Sequence, residues 1–163
     1  MLANNRLHGI VQRLNQLPGF ARSRALSVFF GKAVPFTGTT GIRIEHLDEN
    51  RCVINLANKR RVQNHIGGVH AVASLLLAES ATGFLVGLNV PDDKVPVIKT
   101  VGAEYTRRAK GDMTVEAVLT PEQQQQMKTE PKGATAVAVT IRDSEGQEPI
   151  EIEMIWAWTP KRR

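Results

Sequence analysis

One short segment of the sequence contains residue types that could bind a carbonyl group or an oxyanion. It runs from Asn64 through Gly67, Gly68 and Val69 to His70 and leads into a long apolar stretch. Adjacent glycines let the backbone approach a ligand closely, and the first N–H groups of a helix carry a partial positive charge without intrahelical partners. Because Asn64 can also donate and accept hydrogen bonds, the segment predicts a site that polarises a carbonyl group.

A carboxylate lies farther along the same apolar stretch, at Glu79. Burial would raise the pKa of this side chain, as a general base requires. On one helix, the separation between His70 and Glu79 corresponds to about 900° of rotation and about 13.5 Å of rise. The two side chains can therefore converge only if two such helices pack in opposite directions across a two-fold axis. Gly67, Gly68 and His70 of one subunit would then meet Glu79 of the partner subunit.

Each part of this group also has a purely structural alternative. Gly67 and Gly68 could form a simple turn, and His70 could be satisfied by the backbone at the start of a helix. Glu79 could be a buried carboxylate paired with an arginine at a dimer interface. The residues alone leave these alternatives open, although their joint spacing favours a site.

Several other kinds of site are missing from the sequence. There is no Gly-x-Ser-x-Gly elbow, no phosphate-binding loop that ends in Lys-Ser/Thr and no His-Glu-x-x-His. The single cysteine, Cys52, excludes an intramolecular disulfide, and its apolar neighbours predict a small buried side chain. Only His65 and His70 lie near each other among the four histidines, so we predict no metal and no cofactor. This cysteine usage fits a reducing, cytoplasmic compartment.

The elements that position these residues follow from the hydrophobic spacing. The chain of 163 residues is 42% hydrophobic and 23% charged, which is typical of a globular protein. We predict an N-terminal helical arm over residues 1–34, with helices at 7–17 and 21–30, and a single domain over 35–163. The predicted elements of that domain are a loop at 35–41, strands at 40–47 and 51–57, a helix at 69–88, strands at 96–107, 113–119, 134–142 and 150–158, and a short helix starting at Thr120. The fold class is α+β, with one antiparallel sheet around one long buried helix.

Two features of charge and hydropathy limit the partners. Glu79 in the middle of the stretch Ala71–Val90 would cost about 2.5–3.5 kcal/mol at a bilayer centre, so we predict a buried helix and no transmembrane segment. The net charge is +5, and no acidic residue precedes Glu45. No nucleic-acid-binding signature accompanies this charge, so we predict no nucleic acid partner. The basic arm is interpreted as a lid over the sheet, with a peripheral membrane or partner-binding module as the alternative.

The spacing Asn64-x-x-Gly67-x-x-His70, followed by an acid nine residues later, resembles the hotdog-fold thioesterases of the phenylacetyl-CoA, PaaI-like type. The stretch from Glu104 to Asp112 is similar to a strand end of that family, and Asp143–Gly146 resembles its hairpin. The resemblance extends over residues 39–159 and implies a hotdog fold and a homo-oligomer, either a dimer or a tetramer.

The resemblance also implies an activity, the hydrolysis of an acyl-CoA or acyl-carrier-protein thioester. The backbone N–H groups of Gly68 and Val69 would polarise the carbonyl, and Asn64 would orient the carbonyl or the attacking water. Glu79 of the partner subunit would activate that water or attack directly. Glu104 and Tyr105 would lie near the acyl pocket. The candidates for binding the phosphates of coenzyme A are Arg60, Arg61, Arg107 and Arg108.

Two alternatives accompany this implication. The four arginines could be a solvated basic face. In addition, Ala71-Val72 stands where the family has Gly-Gly, and side chains there would narrow the carbonyl site. This departure favours a second hypothesis, a non-catalytic protein of the same fold that binds an acyl thioester.

Overall fold

The computed structural model of the protein describes residues 5–162. The helices within this range are α1 (Arg6–Asn15), α2 (Gly19–Ala33), α3 (Pro35–Thr40), α4 (Ala71–Asn89) and α5 (Pro121–Thr129). The strands are β1 (Arg43–Leu47), β2 (Arg51–Leu56), β3 (Lys94–Tyr105), β4 (Met113–Val118), β5 (Gly133–Ala136), β6 (Ala138–Asp143) and β7 (Ile150–Pro160). A short 3₁₀ helix covers Arg60–Val62. The predicted α+β class is confirmed, because antiparallel strands surround the long helix α4.

The strands form two antiparallel sheets that meet at a bend in the chain. One sheet has the order β1-β2-β4-β6 and the other the order β3-β7-β5. Only Val137 separates β5 from β6, and its N–H donates to the Met154 carbonyl at 2.9 Å. The single strand predicted over 134–142 was wrong, because the first part of this run pairs with β7 and the second part with β4.

Helix α4 is the centre of the hydrophobic core and packs against strands of both sheets. It is long and apolar enough to cross a membrane by length and composition, but 56% of its most apolar window is buried inside the protein. Side chains from Ser80 onwards are almost all buried, whereas the half before Ser80 is partly exposed. Gly83 allows Trp156 to pack on the helix, since a Cβ there would lie 2.8 Å from the indole ring. The prediction of a buried helix is therefore confirmed.

The N-terminal helices α1 and α2 share this core. Val11, Leu26 and Phe30 are buried in the same cluster as the α4 residues. The ring centroids of Phe30 and Phe84 lie 4.1 Å apart. Helix α2 covers the outer edge of β1, where Ser27 Oγ accepts the Ile44 N–H at 2.9 Å. A helix on an edge strand blocks pairing with other chains. The helix predicted at 21–30 extends farther at both ends.

A short helix, α3, replaces the loop predicted at 35–41. Pro35 occupies its first turn, and Gly41 ends it with a φ of 71°. Thr37 is fully buried, with its hydroxyl 3.1 Å from that of Ser80. The loop prediction was wrong because Pro35 in the first turn and Gly41 at the C-cap start and stop a short helix, despite the glycine and threonine residues between them. Strand β1 consequently begins at Arg43 rather than at residue 40.

A buried lysine holds helix α5 against the domain. The ammonium group of Lys94 donates to the carbonyl oxygens of Met127, Lys128 and Glu130 at 2.8, 3.2 and 2.7 Å. Carbonyl groups at the end of a helix have no intrahelical partner, so the lysine satisfies groups that would otherwise need water. The other end of α5 begins at Thr120 with a capping box, which confirms the predicted start.

Candidate functional site

The segment that precedes α4 forms a closed turn. The Asn64 N–H donates to the Gly68 carbonyl at 2.8 Å. The Asn64 side-chain oxygen accepts the N–H groups of Ile66 and Gly68 at 3.0 and 3.1 Å. Gly67 has a φ of 77°, a conformation that residues with a Cβ rarely adopt. The two glycines therefore form a turn, and the Asn64 side chain holds it together.

This turn determines which hydrogen-bond donors remain available to bind a ligand. The Gly68 N–H is already engaged by Asn64, whereas no described residue accepts the Val69 N–H or the Asn64 Nδ2 hydrogens. His70 caps α4, because its Nδ1 accepts the Val72 N–H at 3.1 Å. That bond places the proton of the neutral ring on Nε2. Val69 and Asn64 thus supply the available donors beside the positive end of the helix.

A cavity of about 410 Å³ lies between this turn and the end of β3. It contains six of the predicted site residues, namely Asn64, Gly68, Val69, Tyr105, Arg107 and Arg108. The Tyr105 hydroxyl donates to the Ala71 carbonyl at 2.7 Å, which ties β3 to the start of α4. Partial burial raises the pKa of Tyr105. The structure therefore brings the predicted turn, the tyrosine and two arginines to one place.

The hairpin after β6 holds the loop that carries the two arginines. The buried Asp143 carboxylate accepts the N–H groups of Lys110, Glu145 and Gln147 at 3.1, 2.9 and 3.0 Å. Burial by itself would raise the pKa of Asp143, but these hydrogen bonds outweigh it and hold the pKa below its ordinary value. A charged acceptor thus fixes the position of this wall of the cavity.

Glu79 lies in a separate, mostly apolar cavity of about 380 Å³. The walls of this cavity are Val34, Phe36, Thr37, Val72, Leu75, Leu76 and Val101. The side chain is half-buried, and burial raises the pKa of its carboxyl group. Among residues 5–162 no ion pair or side-chain hydrogen bond satisfies this carboxylate. Within one chain, therefore, Glu79 and the Asn64 turn line different cavities, in agreement with their helical spacing.

The remaining predicted residues lie elsewhere. Arg61 lines a third cavity of about 570 Å³ beside His70, and its Nε donates to the Thr40 carbonyl at 3.1 Å. Arg60 is exposed on the 3₁₀ helix. Glu104 directly precedes Tyr105 on β3, so its side chain points to the opposite face of the strand. The structure does not bring these three residues to the cavity of Asn64.

Sequence reasoning missed Phe36 and Val101, which wall the cavity of Glu79. Phe36 is 65% exposed on α3 and lines both the Glu79 cavity and the third cavity. The Pro-to-Gly spacing of α3 was the signal that could have placed Phe36 on a helix. Val101 contacts this cavity only because β3 and α4 pack together, which no local pattern of the sequence indicates.

Strand β3 presents a long free edge beside both cavities. It pairs with β7 on one side and is the last strand of its sheet. Its exposed apolar side chains are Val95, Val97, Ile98, Val101 and Tyr105, each between 38% and 47% exposed. A long edge strand with exposed apolar residues is a template for pairing with another chain. Two of these residues, Val101 and Tyr105, also line the cavities of Glu79 and Asn64.

The two cavities contain, separately, the groups that acid–base and electrostatic chemistry on a carbonyl group requires. Backbone and amide donors at the positive end of α4 can polarise the carbonyl oxygen, and a carboxylate with a raised pKa can accept a proton from water. Among the residues that the structure describes, no three His, Cys, Asp or Glu side chains lie close enough to hold a metal ion.

The chain is similar to one protein family. The family model described as "Domain of unknown function (DUF4442)" matches residues 22–158. No curated protein matches the sequence.

Several solved structures are also similar. A Pseudomonas aeruginosa protein of unknown function, described as a probable thioesterase, is 26% identical with a TM-score of 0.75, over 89% of this chain and 97% of that one. A Haemophilus influenzae thioesterase is 18% identical with a TM-score of 0.63, over 77% and 82% of the two chains. A variant of a Staphylococcus aureus thioesterase is 19% identical with a TM-score of 0.64, over 78% and 100%. The last two likenesses concern the fold alone.

Proposed function

Because the chain belongs to the DUF4442 family and has the hotdog fold of the PaaI-like thioesterase superfamily, we propose that it is a thioesterase acting on acyl-CoA or acyl-carrier-protein thioesters. The observation that carries this proposal is the Glu79 carboxylate. It is half-buried in an apolar cavity, has a raised pKa and has no ion-pair partner among the described residues. A half-buried carboxylate without such a partner is available to act as a general base.

The reaction needs one donor set and one base. The Val69 N–H and the Asn64 amide group bind the thioester carbonyl oxygen or orient the attacking water. Glu79 of the partner subunit removes a proton from that water, and the oxygen attacks the carbonyl carbon. The tetrahedral intermediate then collapses with cleavage of the C–S bond, and the thiolate takes up the proton. In the alternative route the Glu79 carboxylate attacks the carbonyl carbon and the C–S bond breaks to release the thiolate. Water then hydrolyses the resulting anhydride to the free acid and Glu79, and the thiolate takes up the proton released.

A dimer supplies the missing half of each site. Pairing the free edge of β3 with the same edge of a second copy about a two-fold axis satisfies the unpaired backbone groups. It also covers the exposed apolar residues Val97 and Val101. The two α4 helices then run in opposite directions, so that Glu79 of the partner subunit can approach the Asn64 turn.

The substrate is oriented by charge at one end and by apolar contacts at the other. Arg107 and Arg108 line the cavity of the turn and supply positive charge for the phosphates of coenzyme A or of a phosphopantetheine arm. Arg60 and Arg61 remain candidates for phosphates that extend farther. The acyl group enters the apolar cavity walled by Phe36 and Val72.

The test is thioester cleavage by wild type and Glu79→Gln. Thiol release is measured with acyl-CoAs of short, long and aromatic acyl groups, and Glu151→Gln removes an exposed carboxylate from β7 as the matched control. We expect Glu79→Gln to lower kcat/KM at least about a hundredfold and Glu151→Gln to leave it unchanged. Equal kcat/KM in wild type and Glu79→Gln would show that the proposed base is wrong.

A second candidate function is acyl-thioester binding without turnover. Two observations favour it: the Gly68 N–H is already engaged by Asn64, and the 55% exposed Val72 stands where the resembling thioesterases have glycine. Calorimetric titration with a non-hydrolysable acyl-CoA thioether distinguishes the two. Tight binding of the thioether with no thiol release from any acyl-CoA would identify a binding protein.

A further inference from the structure

A groove of about 1140 Å³ is lined by residues of α2, α3 and β1, and neither Asn64 nor Glu79 lines it. Two parallel rows of α2 residues border it. One row consists of the small residues Gly19, Ser23, Ser27 and Gly31. Beside them runs a second row, Phe20, Arg24, Val28 and Lys32, which is here named the α2 ridge. Because both rows repeat every four residues, each follows one face of the helix.

The α2 ridge alternates apolar and basic side chains. Phe20 is 86% exposed and Val28 is 50% exposed. The basic members, Arg24 and Lys32, are also exposed. A phenylalanine so fully exposed at the start of a helix contributes little to the core, which α2 reaches through Leu26 and Phe30 on its other face. Exposed apolar side chains that lie close together in this way mark a surface that binds a partner molecule or a membrane.

The charge around the ridge is predominantly positive. Glu45 also lines the groove, but its carboxylate is paired with Arg43. The described residues from Asn5 to Ile44 include no aspartate or glutamate. Two of their basic side chains are paired, Arg6 with Asp92 and Arg43 with Glu45, but Arg24 and Lys32 take part in no ion pair among the described residues. The surface therefore complements an anionic body.

We propose that the α2 ridge docks on an anionic lipid bilayer, with Phe20 and Val28 inserted at the headgroup level and Arg24 and Lys32 against lipid phosphates. Apolar side chains interleaved with basic ones are what this interface requires. The ridge is a single row of side chains along a helix of about 22 Å. A stable protein partner covers roughly 800 Å² of surface, which one such row does not provide. It carries no acidic group to pair with basic side chains of a partner protein. Binding to a bilayer requires only basic side chains that contact lipid phosphates and apolar side chains that insert among the headgroups.

The position of the ridge is compatible with the proposed dimer. Helix α2 covers β1, which is the edge strand of the other sheet, so pairing through β3 uses a different edge. Thr39 lines both the groove and the cavity beside His70, and Phe36 and Val72 continue that cavity to Glu79. The groove thus borders the route to the acyl cavity; this last point rests on the proposed function, whereas the docking does not.

The experiment is co-sedimentation of the full chain with vesicles, in the absence of any thioester. Vesicles of phosphatidylcholine alone are compared with vesicles that also contain phosphatidylglycerol. The variants are Phe20→Ser/Val28→Ser, Arg24→Gln/Lys32→Gln and, as the control with equal charge loss outside the arm, Lys128→Gln/Lys132→Gln. Point variants are preferable to removal of the arm because Leu26 and Phe30 belong to the core. Thermal unfolding of each variant checks that the exposed substitutions leave the fold intact.

We expect binding to the anionic vesicles only, weakened by salt, with about a tenfold loss in either ridge variant and none in the control. Equal binding to both vesicle types, no binding, or an equal loss in the control overturns the proposal. Binding of monomeric short-chain phosphatidylglycerol without vesicle binding would instead assign the groove to a single lipid. A lower mass of Phe20→Ser/Val28→Ser by light scattering would assign the ridge to a contact between copies. Because no thioester is present, failure here is distinct from failure of the Glu79 test.

Discussion

The backbone N–H of Gly68 donates to the side-chain oxygen of Asn64 at 3.1 Å, so the residue expected to orient a substrate also closes the turn that presents it. One atom group of Asn64 is structural, because Oδ1 accepts two N–H groups. The other, Nδ2, has no acceptor among the described residues, and Asn64 lines the cavity of about 410 Å³. The two roles can be separated by substitution.

Asn64→Ala should lower both stability and activity, whereas Asn64→Asp should lower activity alone. Alanine leaves the Ile66 and Gly68 N–H groups without their acceptor, at a cost of about 1 kcal/mol in the free energy of unfolding. Aspartate keeps an acceptor oxygen but lacks the Nδ2 donor. Urea unfolding and thiol release measure the two effects. Full activity of Asn64→Asp would restrict Asn64 to its structural role.

Glu79→Gln should be more stable than wild type at neutral pH. Burial raises the folded-state pKa of Glu79 above its unfolded value, which is about 4.3. The folded state therefore binds the proton more tightly, and wild-type stability declines as the pH rises from the unfolded pKa through the folded one. The neutral glutamine has no such decline. Thermal unfolding from pH 4 to pH 8 should show the difference in Tm between variant and wild type increasing with pH; a constant difference would contradict the burial effect.

Val97→Lys should convert the proposed dimer to a monomer and abolish thioester cleavage together. Val97 is 45% exposed on the free edge of β3, and a charged side chain there opposes strand pairing. Val118→Lys on β4 is the matched control, since Val118 is 40% exposed on the other sheet. Light scattering gives the mass and thiol release the activity. A fully active monomeric variant would mean that Glu79 of the partner subunit is not needed.

Lys94→Met should lower the free energy of unfolding by about 2 kcal/mol without changing kcat/KM. The substitution removes three hydrogen bonds from a charged, buried donor to the carbonyl groups at the end of α5. Lys99→Met, exposed on the same strand, should have little effect. Urea unfolding measures both variants, and equal stabilities would rule out the role of Lys94 in holding α5.

Gly38→Ala and Gly9→Ala should change stability in opposite directions. A Cβ on Gly38 would lie 2.4 Å from the Gly31 carbonyl oxygen, so α2 and α3 would have to separate, at a cost of about 1–3 kcal/mol. A Cβ on Gly9 meets nothing within 4 Å, and alanine favours the helix by up to about 1 kcal/mol. Thermal unfolding of the pair measures both changes. A similar Tm shift in both variants would argue against close packing of α2 on α3.

The sequence predicted those parts of the fold that repeat regularly. In β7, Ile150, Met154, Trp156 and Trp158 are buried, as their alternation indicates, and α4 is the expected core helix. The bend at Val137 could not be predicted, because alternating apolar residues continue from β5 into β6 while the strand changes partners. Periodicity reports which face is buried but not which strand lies beside it.

The candidate site likewise has some features that the local sequence predicts and others that depend on packing. The turn from Asn64 to Gly68 was predicted because its residue types and spacing are local. The hydrogen bond from the Gly68 N–H to the Asn64 side chain was not predicted, because it depends on the rotamer of that side chain. The separation of Arg61 from Arg107 arises from packing between distant parts of the chain, which charge counting does not reveal.

The division of α4 into a partly exposed first half and a buried second half has a consequence for how this protein can evolve. Residues after Ser80 are almost all buried, so substitutions there would destabilise the fold. The first half, with Val72, Leu75 and Leu76 around Glu79, can diversify at little thermodynamic cost. If the proposed acyl cavity is correct, selection for a new acyl group can therefore act on one end of a helix while the other end preserves the scaffold.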